Sequence, residues 1–204
     1  MTIYWLRHGE TALNAARVLQ PEETPLSARG RLQARAAARR LAGMKPAALL
    51  SSDLPRARET AEAVAAATGL PLRLEPLLRE RNFGALRGLA YDTLEFDPLA
   101  MHAAPPDGES RAEFLERVAR AWAAVAAARA ACGGTLLVVS HGLLIHAALD
   151  AHAGWHDGLT LPHRLANTSV SAVDAEPPHR VRLVDDTSHL TGVLGDDVQA
   201  LSGG

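Results

Sequence analysis

Residues 3–14 read IYWLRHGETALN. The first four, Ile3, Tyr4, Trp5 and Leu6, are apolar and β-favouring, which predicts a buried strand, and the run stops abruptly at Arg7, His8 and Gly9. In an open α/β sheet ligands bind in the crevice beyond the carboxyl ends of the strands, so a guanidinium and an imidazole at that boundary mark where chemistry is expected. Gly9 permits a tight turn, Thr11 is placed to cap a short helix, and Asn14 faces back toward the turn. Imidazole, guanidinium and carboxamide then converge on one oxyanion. An Arg-His pair ending a strand is by itself ordinary, and the rest of the chain decides its meaning.

Working outward, Ser27 reads as the N-cap of a helix from Ala28 to about Ala42, with Leu32 and Leu41 among its apolar positions and Gly43 ending it. Ala47–Ser51 reads as a second strand. A helix follows it, capped by Asp53 or Ser52, with Pro55 in its first turn and Gly69 closing it. Arg56 therefore stands in the first turn of a helix that starts at a strand end, where free N–H groups and the helix dipole attract anions. A short strand at Leu72–Glu75 leads to the turn-rich LLRERNFGALRG, which contains Glu80. The stretch from Leu89 to Asp107 has few periodic cues. Ser110 and Glu113 form a capping box for a helix from Arg111 to about Ala131, with Phe114, Leu115, Val118, Trp122 and Val125 as its apolar stripe.

TLLVVS, residues 135–140, is typical of a central strand, and His141 and Gly142 follow it directly. This repeats the arrangement at His8, and two histidines at two strand ends are harder to dismiss than one. In the helix behind it, His146 reads as a packed core histidine. His152 and His156 have the spacing of a helical metal pair, but Gly154 intervenes and no third ligand is placed to join them, so no metal site is expected. Ser169–Asp174 and Arg180–Val184 read as a hairpin joined by a Pro-Pro turn. Strands alternating with helices predict a three-layer αβα sandwich with a mainly parallel central sheet.

Composition bounds the function. The 204 residues are 48% hydrophobic and 22% charged, with a formal net charge of -2. No basic excess marks a nucleic-acid binder, and no segment reaches the roughly 18 to 20 apolar residues of a membrane span. Cys132 is the single cysteine, which excludes an internal disulfide and a cysteine-based zinc site. The N-terminus enters a strand with no secretory signal, so a cytoplasmic protein is expected. A homodimer is as compatible with these apolar faces as a monomer.

Four segments, LRHGETALN, SDLPRARETA, LRERNFG and SHG, resemble in sequence and order the histidine phosphatase superfamily, also called phosphoglycerate mutase-like. The resemblance implies a phosphoglycerate mutase-like fold in a single domain at 1–195, a short cap insertion at about 89–109 and a frayed tail at 196–204. It implies His8 as the nucleophile that forms a phosphohistidine, and Glu80 as proton donor and acceptor. Phosphate binding falls to Arg7, Asn14, Arg56, His141 and Gly142, with Arg56 rather than Arg58 in the role; no metal and no cofactor are implied. The chain departs from the family where Pro21 follows Gln20 in place of a glycine, and where Leu86 and Arg87 replace a tryptophan and a glutamate. Phe83 stands where mutase members carry tyrosine, and the chain is short for a mutase. The expectation is a phosphomonoesterase acting on a small phosphorylated substrate. A cofactor-dependent phosphoglycerate mutase and a catalytically weak phospho-ligand binding protein are the alternatives.

Overall fold

A computed structural model of the protein describes residues 1–156 and 158–194. The tail expected at 196–204 lies outside the described residues. Among them six strands form one sheet: β1 (Thr2–Arg7), β2 (Ala48–Ser51), β3 (Leu72–Leu74), β4 (Leu136–Ser140), β5 (Val170–Asp174) and β6 (Val181–Asp186), in the spatial order β3-β2-β4-β1-β5-β6. The helices are α1 (Ala12–Ala15), α2 (Ala28–Ala42), α3 (Pro55–Thr68), α4 (Arg111–Cys132) and α5 (Gly142–His152).

The uninterrupted apolar run of β1 has a simple cause, which is that both of its faces are covered. Ile3 and Trp5 pack with residues of α4 and α5, and Tyr4 and Leu6 with residues of α2 and α3. β4 divides in the same way, with Leu136 and Val138 on the first face and Leu137 and Val139 on the second. Trp5 stacks on Trp122 of α4 with ring centroids 5.9 Å apart, an arrangement worth about 1 kcal/mol beyond the area it buries. This is the expected three-layer αβα sandwich. The sheet is mixed: β1, β4, β2 and β3 pair in parallel, while β5 is antiparallel to β1 and β6 to β5. Among the described residues no helix is long and apolar enough to cross a membrane.

Three local expectations need correction. Leu32 and Leu115, read as inward-facing, are 49% and 42% exposed. In α2 the inner place goes to Gln33, whose Oε1 accepts the Glu10 N–H at 2.9 Å, so a hydrogen bond outranks the leucine beside it. Neither Asp53 nor Ser52 caps α3. The N-cap is Leu54 with no side-chain cap bond, because Asp53 pairs with Arg79 at 2.6 Å and Ser52 serves His141.

The segment at 89–109 is irregular apart from a 3-10 turn at Tyr91–Thr93. It is pinned at both ends. The Leu89 carbonyl accepts from Leu19 N at 2.9 Å, Tyr91 N donates to the Arg17 carbonyl at 2.9 Å, and Glu109 N donates to the Asn82 carbonyl at 2.8 Å.

The turn after β1 is clamped to the start of α2. Ser27 N donates to the Glu10 carbonyl at 2.9 Å, and the Ser27 hydroxyl to the Glu10 carboxylate at 2.7 Å. The backbones approach so closely that a Cβ on Gly30 would lie 2.0 Å from the Glu10 carbonyl oxygen. Gly30→Ala is therefore expected to cost at least about 2 kcal/mol, lowering Tm by about 6 °C. Gly69→Ala is the contrast: its Cβ meets nothing within 4 Å, and only the left-handed backbone at φ 73° costs about 1 kcal/mol. Thermal unfolding of the two variants checks both figures.

Candidate active site

The strand register assembles the site. β1 and β4 run in parallel with Arg7 opposite Ser140, so the next residues, His8 and His141, leave adjacent strands at the same level. The His8 N–H donates to the Ser140 carbonyl at 3.0 Å, and the two rings lie 5.1 Å apart, tilted by 58°. β2 joins β4 with Ser51 opposite Val139, which places the Ser52 hydroxyl 2.8 Å from His141 Nε2. Four residues past Ser52, the first turn of α3 delivers Arg56. Carboxyl ends of three neighbouring parallel strands thus converge, as expected for an α/β crevice.

All of these groups are buried. Arg7, His8, Arg56 and His141 are each no more than 2% exposed, and Glu80 is 5% exposed. Arg7 donates through Nη1 to the Leu165 carbonyl, and Arg56 through Nη1 to the Pro21 carbonyl at 3.4 Å. Burial pushes both guanidinium groups down to about 10, so they remain cationic at neutral pH. His8 moves in the matching direction: burial first, then Arg56 and Arg7, holds it well below its ordinary 6.5. Its Nδ1 lies 2.7 Å from the Gly9 carbonyl, which can only accept; Nδ1 carries the proton, and Nε2 keeps its lone pair. His141 is lowered by the same combination of burial and Arg56, and its Nδ1 is buried with no hydrogen-bond partner among the described residues.

Glu80 is held by the backbone. Its Oε1 accepts N–H groups from Arg81 and Leu144, each at 3.1 Å, and its Oε2 accepts Leu143 N at 3.0 Å. Three of four lone pairs are used, which leaves one position on Oε2 for a proton. Burial raises its pKa above the usual carboxylate value, against the opposing pull of those N–H groups, Arg56 and Arg7. Leu143 and Leu144 lie in the first turn of α5, so Glu80 and Gly142 share that helix N-terminus.

The expected candidates Arg7, His8, Asn14, Arg56, Glu80, His141 and Gly142 are brought together. Asn14 is the third residue of α1 in a capping box with Thr11, and its Oδ1 also accepts from Asn167 Nδ2 at 3.3 Å. Asn167 Nδ2 donates in turn to the His8 carbonyl at 3.1 Å. Asn167 opens the asparagine-threonine-serine start of the last hairpin, and the sequence reading assigned it no role in the site. It precedes β5, whose Val170 lies opposite Leu6, and an antiparallel neighbour brings its amino end to the carboxyl end of β1.

Arg117 was missed as well. From α4 it donates to the carbonyls of Leu77, Arg79 and Glu80 at 2.9, 2.7 and 3.1 Å, and it pairs through two nitrogens with Glu109 at 2.7 and 2.8 Å. It holds the loop that presents Glu80. A helical arginine in an otherwise surface-like run carries no signal of this in the sequence.

The other histidines that the sequence reading singled out lie elsewhere. His102 is exposed, His152 stacks on Trp122 at 5.3 Å, and His156 lies 3.1 Å from the Val181 carbonyl. His146, expected in the core, is half-buried and lines a cavity. Among the described residues no three His, Cys, Asp or Glu side chains are grouped to hold a metal ion.

The chain is similar to known proteins in sequence and fold. The description "Histidine phosphatase superfamily (branch 1)" matches residues 3–186. A protein of Escherichia fergusonii named "Probable phosphoglycerate mutase GpmB" is 33% identical over 98% of this chain and 99% of its own length. Among solved structures, a mycobacterial glucosyl-3-phosphoglycerate phosphatase complexed with VO3 is 32% identical, with a TM-score of 0.73, over 89% of this chain and 96% of that one. YhfR of Bacillus stearothermophilus is 30% identical, with a TM-score of 0.76, over 92% of this chain and 98% of that one. The match runs through every strand of the sheet and through both histidine-bearing strand ends, and the chain belongs to the histidine phosphatase superfamily as an enzyme of its first branch.

Proposed function

We propose that this protein hydrolyses small phosphomonoesters through a phosphohistidine on His8, without a metal ion, and that the 89–109 segment is the cap over its site. The observation that carries the reading is the fixed tautomer of His8: a neutral ring with Nε2 unprotonated, held between two buried cations. A phosphate dianion is attracted by the buried cations Arg7 and Arg56, and Asn14, His141 and the N–H of Gly142 complete the donors around its oxygens. His8 Nε2 attacks phosphorus as the bond to the alcohol oxygen breaks, and that oxygen takes the proton of Glu80. Water then attacks the phosphohistidine and gives its proton to Glu80; the P–N bond breaks and phosphate leaves. Positive charge comes from guanidinium groups throughout, and for that reason the proposal needs no metal.

A mutase is the second reading, favoured by the name that the Escherichia fergusonii relative carries. It uses the same intermediate but returns the phosphoryl group to an acceptor instead of to water. Mutase turnover of 3-phosphoglycerate that depends on added 2,3-bisphosphoglycerate and exceeds hydrolysis would establish it over the phosphatase.

Phosphate release from p-nitrophenyl phosphate and a panel of alkyl phosphates is expected to persist in excess chelator. It should fall at least about 1,000-fold in His8→Ala, and an acid-labile phosphoenzyme should form in the wild type alone. Activity surviving in His8→Ala overturns the assignment of the nucleophile.

Glu80→Gln is expected to lower kcat by about 100-fold or more on alkyl phosphates and far less on p-nitrophenyl phosphate, whose leaving group departs without a proton. Equal losses on both would remove Glu80 from proton transfer.

The pH profile follows from the same two groups. His8 works unprotonated and is held well below 6.5, so the acidic limb of kcat/KM lies below that value. Glu80 works protonated and is raised above its usual 4.5, so the basic limb lies above that value and disappears in Glu80→Gln. An acidic limb at or above 6.5 would contradict the neutral, buried imidazole.

A further inference from the structure

Burial and Arg56 keep His141 neutral at pH 7. A neutral imidazole has one proton for two nitrogens, so it donates to a phosphoryl oxygen through Nδ1 only while Nε2 is bare. Something has to enforce that choice. The group in contact with Nε2 is the hydroxyl of Ser52, the buried residue that follows β2, at 2.8 Å. Ser52 is itself fixed, because its N–H donates to the Val139 carbonyl of β4 at 2.9 Å.

Counting hydrogen bonds separates the two tautomers. The Ser52 oxygen accepts the Leu54 N–H at 3.3 Å, and among the described residues His141 Nε2 is the acceptor within reach of its proton. With the ring proton on Nε2, that N–H donates to the Ser52 oxygen. Two groups are then unmet in a buried place: the hydroxyl proton, and a lone pair on Nδ1, which has no hydrogen-bond partner among the described residues. With the ring proton on Nδ1, the Ser52 hydroxyl donates to Nε2 and the Leu54 N–H donates to the hydroxyl. Only Nδ1–H is unmet. The charges acting most strongly on this ring come from Arg56, Arg7 and Arg117, all cationic, so an anionic acceptor for Nδ1–H has to arrive with the ligand.

We propose that Ser52 is a positioning residue that sets the tautomer of His141: its O–H donates to Nε2, which keeps the ring proton on Nδ1 and presents it to a phosphoryl oxygen. This rests on the phosphatase reading above. The two rings, 5.1 Å apart, are then set by opposite means. At His8 the Gly9 carbonyl accepts from Nδ1, and the bare Nε2 is the nucleophile. At His141 a hydroxyl donates to Nε2, and the protonated Nδ1 is the hydrogen-bond donor.

The test reads the proton directly. Imidazole 15N spectra of the full chain, labelled at histidine and assigned by the loss of signals in His141→Gln, report which nitrogen carries it. Wild-type His141 is expected to be protonated on Nδ1, with and without inorganic phosphate. In Ser52→Ala the Nε2–H form is expected to appear, and kcat/KM for His8-dependent phosphate release to fall at least about 10-fold, mostly through kcat. Ser51→Ala is the control. It removes a neighbouring buried hydroxyl that donates to the Ser52 carbonyl at 2.8 Å, and it is expected to keep both the tautomer and the rate. A wild-type ring protonated on Nε2 overturns the proposal without any variant being needed. So does a Ser52→Ala ring that stays protonated on Nδ1 alone, a rate unchanged when the tautomer moves, or an equal loss of rate in Ser51→Ala. No His8-dependent release from any ester, with wild-type His141 protonated on Nδ1 and moved by Ser52→Ala, overturns the phosphatase reading and leaves the Ser52 contact in its assigned role.

Discussion

The parallel register of β1 against β4 is the constraint on which the rest depends. Because Arg7 lies opposite Ser140, the two histidines that follow these strands are neighbours without any loop having to bring them together. A slip of one residue would turn every side chain of β1 to the opposite face, exchanging the partners of Trp5 and Leu6 between two differently shaped cores. Hydrophobic burial therefore enforces catalytic geometry. The precision of the site comes from the sheet, and the turn after β1 only has to hold its direction, which its clamp to α2 does.

That rigid frame carries an electrostatic imbalance. Two cationic guanidiniums and two neutral imidazoles are packed where water is scarce, and the carboxylate of Glu80 beside them is raised toward its neutral form. Each of these choices opposes folding, since burial of charge is costly unless it is matched. The frame bears that cost through its two well-packed faces. A dianion entering the site relieves the imbalance, and it relieves it most as negative charge grows on the phosphoryl oxygens.

How much of this was legible in the sequence varied with the kind of force involved. Apolar periodicity revealed the strands and long helices, and the capping pair Ser110 and Glu113 marked the start of α4 where it stands. The residues at parallel strand ends, His8 and His141, stood out because a buried run stops at them. Asn167 did not, because its place depends on β5 being antiparallel, a pairing no local pattern encodes. Arg117 was hidden for a related reason: it bonds to backbone carbonyls some 40 residues away, and carbonyls leave no trace in side-chain identity. The misplaced Leu32 and Leu115 show the limit of periodicity, since neighbouring positions on a helix compete for one inward direction and polar bonds can decide the contest.

The two-ended anchoring of the 89–109 segment has a consequence for how such a protein can diversify. One end is tied to the Arg17–Leu19 backbone, and the other reaches Arg117 through Glu109, the same guanidinium that secures the Glu80 loop. Residues 92–100, which precede the further ties from the Met101, His102 and Pro106 carbonyls to Arg81, Arg111 and Ala85, can lengthen, shorten or change composition while the attachment points stay where they are. Evolution, or an engineer grafting a foreign loop, can therefore rework what this region contacts as a module, with the Glu80 loop left in register.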